Sequence, residues 1–372
     1  MFANHVRYDS QDRHFKILCL VGNGFDMQLL SHYKSSPKTS YTDFYHFLKM
    51  RGHGGENLIL RHMEELIEDG KKDWSDVERV LSDLGEGGHD YLDISRSLTV
   101  VQIEFSAFLN LVVNDTLLGR LDSDAKSNKW AMRSLSEFLR DLETLESLKK
   151  IPFGARKANR DLYDFLFVNF NYTSLLDNYI YTDQSQFDPF KYRSSGSNFE
   201  INTDPNDHTG DTTWNYNSYS FLTTRVVHPH GYQDIPRSLL FGVGPTDGQE
   251  QQLNRLQKTY WTQAKRHYEP MVSEADLYII FGCSLGESDS WWWSTIARKV
   301  LQSTDSAIIL YRRLKARDAD STNELFSDFA RAASVTSQEE IDRLRSRTCV
   351  VPYTDADPRV WLSTRPAEGA VL

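Results

Sequence analysis

KILCLVGNGFD, Lys16–Asp26, is the place where an apolar run feeds straight into paired glycines. Ile17 to Val21 is short, apolar and followed at once by a breaker, which reads as a buried strand. Gly22 and Gly24 let the chain turn sharply and bring bare backbone N–H groups up to a ligand, and Asn23 tolerates left-handed geometry. A first strand of an open α/β sheet prepares a phosphate or ribose site in this way. The dinucleotide fingerprint G-x-G-x-x-G is incomplete, because Met27 stands where the third glycine belongs. An ordinary tight turn after a strand explains the same residues as well.

Outward from this stretch the chain alternates. Residues 1–15 are polar and expected to lie loosely over the first strand. Phe25 to Tyr33 begins a helix that Ser35, Ser36 and Pro37 stop; Ser40 with Asp43 forms a capping pair opening a second helix to about Met50. From Leu58 to about Lys149 the periodicity is helical. Val77, Val80, Leu81 and Leu84 share a stripe, and Leu98 to Leu118 reads as one mostly buried helix carrying Gln102, Glu104, Ser106 and Asn110.

Strand character returns at Asp164–Asn169, Phe221–Val227, Leu239–Val243, Leu277–Phe281, Ala307–Tyr311 and Cys349–Tyr353. Helical spacing covers Thr246–Tyr268, a run from about Ser290, and Glu324–Ala333. Residues 183–220 have no period and read as a long loop. The alternation implies a doubly wound, mostly parallel α/β sheet. Residues 1–50 would form the first part of a nucleotide-binding α/β domain, 51–155 a helical insertion, 156–353 the remainder of that domain, and 354–372 a tail.

Composition narrows the function classes. Hydrophobic residues at 40% and charged residues at 25% are ordinary for a globular chain. A formal charge of −10 argues against a generic polyanion-binding surface, so nucleic acid is not the expected partner. Cys19, Cys283 and Cys349 are far apart and sit in or beside apolar runs, which suits buried thiols in a reducing compartment. No signal core and no membrane-length apolar stretch is apparent, so no membrane partner and a cytoplasmic location are expected.

Several residues carry chemistry. Asn171 follows a buried strand two residues after Asn169; strand-end asparagines often bond backbone, but both side chains could also face one cleft. His230 suits acid–base work near neutral pH, a structural role, or, with His228, metal ligation. Ser75 and Glu78 fit a capping box. Ser284 or Ser288 would cap the helix that carries Trp291, Trp292 and Trp293.

LVGNGFD, then Thr39–Phe44 (TSYTDF), Trp74–Glu78 (WSDVE), Phe170–Thr173 (FNYT), His228–Gly231 (HPHG) and Phe281–Leu285 (FGCSL) with Asp289 resemble, in that order, the AbiH family of phage abortive-infection proteins. That family in turn resembles, more remotely, sirtuin-like proteins that bind and often hydrolyse NAD. The resemblance implies Asn171 and His230 as catalytic residues. It implies Gly22, Asn23, Gly24, Phe25, Asp26, Glu78, Gly282, Ser284 and Asp289 as the set holding NAD, with Asp289 accepting from ribose hydroxyls. Thr173 stands where those relatives often carry aspartate, and Asp26 where they carry a small hydroxyl residue.

The implied function is anti-phage defence through NAD glycohydrolysis, with NAD as substrate or ligand and no metal. A homo-oligomer and a phage-derived trigger are partners the resemblance leaves open. A metal-dependent nuclease or phosphodiesterase, or a non-catalytic NAD sensor that triggers a partner, are the alternatives.

Overall fold

The computed structural model describes residues 13–72, 74, 76–153, 162–181, 221–243, 255–258, 263–315 and 321–365. Six strands, β1 (His14–Val21), β2 (Leu162–Asn169), β3 (Phe221–Val227), β4 (Leu277–Phe281), β5 (Ala307–Arg313) and β6 (Thr348–Tyr353), form one sheet in the order β3-β2-β1-β4-β5-β6. All pairings are parallel. The strand order reverses at β1, which creates a switch point between β1 and β4. Val21 is in register with Asn169 of β2 and Phe281 of β4, so the loops bearing Gly22, Asn171 and Gly282 leave the sheet side by side.

β1 is central and covered on both faces, so its sequence is continuously apolar rather than alternating. Ile17, Cys19 and Val21 enter one core, and Leu18 and Leu20 the other. The first core is roofed by α1 (Gly24–His32), α2 (Tyr41–Met50), the helical block α3 (Leu58–Glu68), α4 (Val77–Glu86), α5 (Tyr91–Val112), α6 (Asp115–Asn128), α7 (Trp130–Glu137) and α8 (Leu145–Lys150), and α9 (Leu175–Tyr181). The second is covered by α11 (Glu269–Glu274), α12 (Ser290–Gln302), α13 (Ser321–Ala332) and α14 (Gln338–Ser346); a short α10 (Ala264–His267) precedes them. Trp361 is fully buried and stacks on Phe167, while half-buried Asp141 accepts the Val360 and Trp361 N–H groups, so residues 354–365 close the first core.

Some expectations change. Leu98–Leu118 is two helices bent by 51°, because the Asn114 side chain accepts the Leu117 N–H and caps α6. Leu239–Val243 is not a strand; its backbone follows a turn in which Leu240 N–H donates to His230 O, and Val243 makes only an isolated bridge to Gln257. Helical spacing over Thr246–Tyr268 does not make one helix, since Gln263 at φ 46° breaks the path before α10; residues 244–254 and 259–262 lie outside the described residues. The helices α9 and α14 were not anticipated. Ser40 does cap α2, accepting the Asp43 N–H. The 183–220 segment and residues 1–12 lie outside the described residues.

Candidate functional site

The paired glycines are explained by a backbone junction. Gly22 N–H donates to Phe281 O and Gly24 N–H to Gly282 O, both at 2.9 Å, and Phe25 N–H donates to Gly22 O. A Cβ on Gly22 would lie 2.7 Å from Gly282 O, and one on Gly24 2.6 Å from Gly282 Cα. Gly282 itself has φ +68°. The loops after β1 and β4 therefore touch backbone to backbone at the switch point, a contact only glycine permits. The N–H groups of Gly22 and Gly24 are thus spent within the protein and are not bare donors facing a ligand. Asn23 is in ordinary right-handed geometry, φ −59°, rather than left-handed.

On the β2 side of this junction Asn171 Nδ2 donates to Gly22 O at 3.2 Å, and the Asn171 backbone N–H donates to Asn169 Oδ1 at 3.0 Å. Both asparagines are buried, and Asn169 Nδ2 finds no partner among the described residues. Asp26, from the first turn of α1, is 1% exposed. One of its carboxylate oxygens accepts from Thr173 Oγ1 at 2.7 Å, and the other has no hydrogen bond from the described residues. Burial pushes its carboxyl up to about 7, the Thr173 hydroxyl works against that rise, and nearby Asp177 adds to it. His228 is held on both ring nitrogens, Nδ1 by Asn171 O and Nε2 by Asp177.

On the β3 side His230 packs flat on Phe170, with ring centroids 4.9 Å apart, and its Nε2 lies 3.1 Å from Asp289 Oδ1. Gly231 follows at φ +101°, where a Cβ would strike Ser238 O, so the turn that carries His230 requires glycine. Asp289 immediately precedes α12 but makes no capping bond to it. Its Oδ1 is also 3.7 Å from the Nζ of buried Lys258, which ion-pairs closely with Glu78 and reaches Ser288 Oγ at 3.4 Å. Burial would raise the Asp289 carboxyl, but Lys258 and His230 hold it down at about 2. Burial likewise opposes the Lys258 ammonium, and Glu78 and Asp289 outweigh it and keep it charged. The Tyr172 hydroxyl, pushed up by burial, donates to Leu240 O at 2.6 Å on the same side.

Asn171, His230, Gly22, Gly24, Gly282, Glu78 and Asp289 thus converge at the carboxyl ends of β1–β4 from distant parts of the chain. Others sit differently. Phe25 is fully buried, edge-on to Tyr179, and belongs to the core. Asn23 is exposed and pairs with Thr39, whose Oγ1 donates to Asn23 Oδ1 at 2.9 Å. Ser284 is exposed. Neither Ser284 nor Ser288 caps α12, and Trp292 and Trp293 are core residues.

Glu78 is not in a capping box: Asp76 takes the Glu78 and Arg79 N–H groups, which frees the Glu78 carboxylate for Lys258; Ser75 lies outside the described residues. His228 and His230 turn to different carboxylates, and the described residues hold no cluster of three or more potential metal ligands. Lys258 is absent from the sequence-based candidates, because Arg255, Lys265 and Arg266 share its stretch and nothing local sets it apart.

The family model for bacteriophage abortive infection AbiH matches residues 18–311, which spans every residue of this cluster. No curated protein and no solved structure matches.

Proposed function

The chain belongs to the AbiH family of bacteriophage abortive-infection proteins, and from that premise we propose that it acts in defence by hydrolysing the nicotinamide–ribose bond of NAD. The observation that carries the reading is the His230–Asp289 pair at the carboxyl ends of the strands, where the imidazole packs against Phe170 and Tyr172, the neighbours of Asn171 in sequence. With Nε2–H donated to Asp289, the neutral imidazole presents Nδ1 as a base. Asn171, whose Nδ2 is committed to Gly22 O, keeps Oδ1 to accept from a water or a ribose hydroxyl.

In the reaction, water adds to C1′ of the ribose and the C–N bond breaks. Its electron pair leaves with nicotinamide, and His230 takes the water proton. Departure generates positive charge on the ribose, so nearby fixed carboxylates and oriented acceptors lower the barrier. Because the glycine N–H groups are engaged, the phosphates would be met by the exposed residues of the two loops, Asn23 and Ser284.

The test is incubation of the purified protein with NAD, following nicotinamide release with and without chelator. Release unaffected by chelator, lost ~100- to 10,000-fold in folded Asn171→Ala and His230→Ala, supports the assignment. Full cleavage by the folded double variant overturns it. NAD bound and recovered intact would make the protein a sensor, and activity abolished by chelator would point to metal-dependent phosphodiester chemistry.

A further inference from the structure

We propose that Lys258 is a positioning residue for His230, and that Glu78 of the helical insertion sets its position, so that the insertion is part of the site. For its bearing on catalysis this rests on the reading above; its geometry does not. Lys258 has a side chain only 5% exposed, and a buried ammonium is stable only when its charge is matched. Its partners come from two separate parts of the fold: Glu78 from α4, and Ser288 and Asp289 from the turn before α12.

Asp289 joins the ammonium to the imidazole. A carboxylate just ahead of a helix ordinarily accepts that helix's free N–H groups. Here it makes no such bond, and His230 Nε2 and Lys258 Nζ share its Oδ1 at 3.1 and 3.7 Å. With the ammonium present two nitrogens share one oxygen; without it, Asp289 Oδ1 keeps only His230 and bonds the imidazole more strongly. Glu78 holds the ammonium in place from the other side.

Among the described residues, Tyr172 and Tyr41 lie beside Lys258 and Glu78, Asp76 lies near Tyr41, Cys283 lies near Asp289 with Arg312 bonded to its carbonyl, and Phe170 covers the imidazole. Arg312 and Asp76 are unchanged between wild type and the variants, so Lys258 and Glu78 act on His230 with opposite signs. Removing the ammonium favours imidazolium and removing the Glu78 charge disfavours it. At an effective dielectric of about 20, a unit charge about 7 Å away moves a titration by roughly 1–2 pH units.

The experiment is NMR titration of His230 in full-length protein with labelled histidine, its resonance identified by loss in His230→Gln. We expect Lys258→Met to raise the His230 midpoint, Glu78→Gln to lower it, and Lys258→Arg to restore it towards wild type. If Lys258→Met does not fold, Glu78→Gln and Lys258→Arg decide alone. Midpoints that stay within about 0.2 pH units of wild type, or movements of one sign in both Lys258→Met and Glu78→Gln, overturn the proposal. The readout needs no NAD cleavage, so failure of the proposed reaction and failure of this role are separately visible.

Discussion

Asp26→Asn tests the interior of the site through pH. The Asp26 carboxyl titrates at about 7 in the folded chain against 3.8 ordinarily, raised first by burial. Between those values the native state keeps a proton that the unfolded chain releases, so the native state binds more protons and stability falls as pH rises. The loss begins near pH 4, proceeds at up to about 1.4 kcal/mol per pH unit, and is complete just above pH 7. A rise from 3.8 to about 7 corresponds to about 4 kcal/mol in all, and relaxation or water entry would trim this towards about 2. Asparagine mimics the protonated acid, can still accept from Thr173, and cannot ionise.

Denaturant unfolding at intervals from pH 4.5 to 8.5 would therefore show the variant gaining on wild type by about 2–4 kcal/mol across the window. Any fixed cost of placing an amide there is constant in pH, so the slope is the measurement. Parallel stability curves for the two proteins would mean that Asp26 ionises freely in the fold, and the account of its burial would be wrong.

Gly24→Ala must push the Gly282 loop away by about 1 Å to reach ordinary contact. It should cost about 1–3 kcal/mol despite alanine's better helix preference, whereas Gly119→Ala, which meets nothing within 4 Å, should be neutral or stabilising by under about 1 kcal/mol; equal denaturation midpoints would refute the junction. Trp361→Ala removes a fully buried ring stacked against Phe167 and should cost about 3–5 kcal/mol by the same assay, a loss that a dispensable tail would not show.

Much of the fold was legible because its signals are local. Apolar runs ending in glycine marked β1 and β4, and Ser40 with Asp43 marked α2, since a strand end or a cap is decided within a few residues. Asn114 was an equally local signal, but the hydrophobic period on both sides of it reads straight through the bend. The site was half legible. The family resemblance pointed to Asn171, His230 and Asp289, but which groups pair across the chain did not show. Asp289 pairs with His230 and Lys258, and the glycine N–H groups with the neighbouring loop. Such pairings depend on register across the sheet, which no window of sequence contains.

Helix α5 is half exposed rather than mostly buried, with Leu92, Ile103 and Leu111 on its open side, and its polar residues Gln102, Glu104, Ser106 and Asn110 each have a partner. Glu104 is tied to Arg51 and His53. The others face the loop that follows His230: Gln102 Nε2 donates to Leu239 O at 2.6 Å, Ser106 Oγ donates to Gln233 O, and Asn110 Oδ1 accepts from Gln233 Nε2 at 2.9 Å. Gln233 in turn donates its backbone N–H to Tyr172 O and accepts the Ser174 N–H, which fastens the same loop to the end of β2 beside Asn171. The Ser106 and Ser174 bonds are buried and the Gln102 and Asn110 bonds partly so; an abandoned buried partner costs about 1–3 kcal/mol, so the loop is tied to both α5 and the β2 end. Glu78 enters from α4, which packs against α5. The helical insertion therefore grips His230 twice, through its loop and through Lys258, and whatever displaces the insertion displaces the histidine.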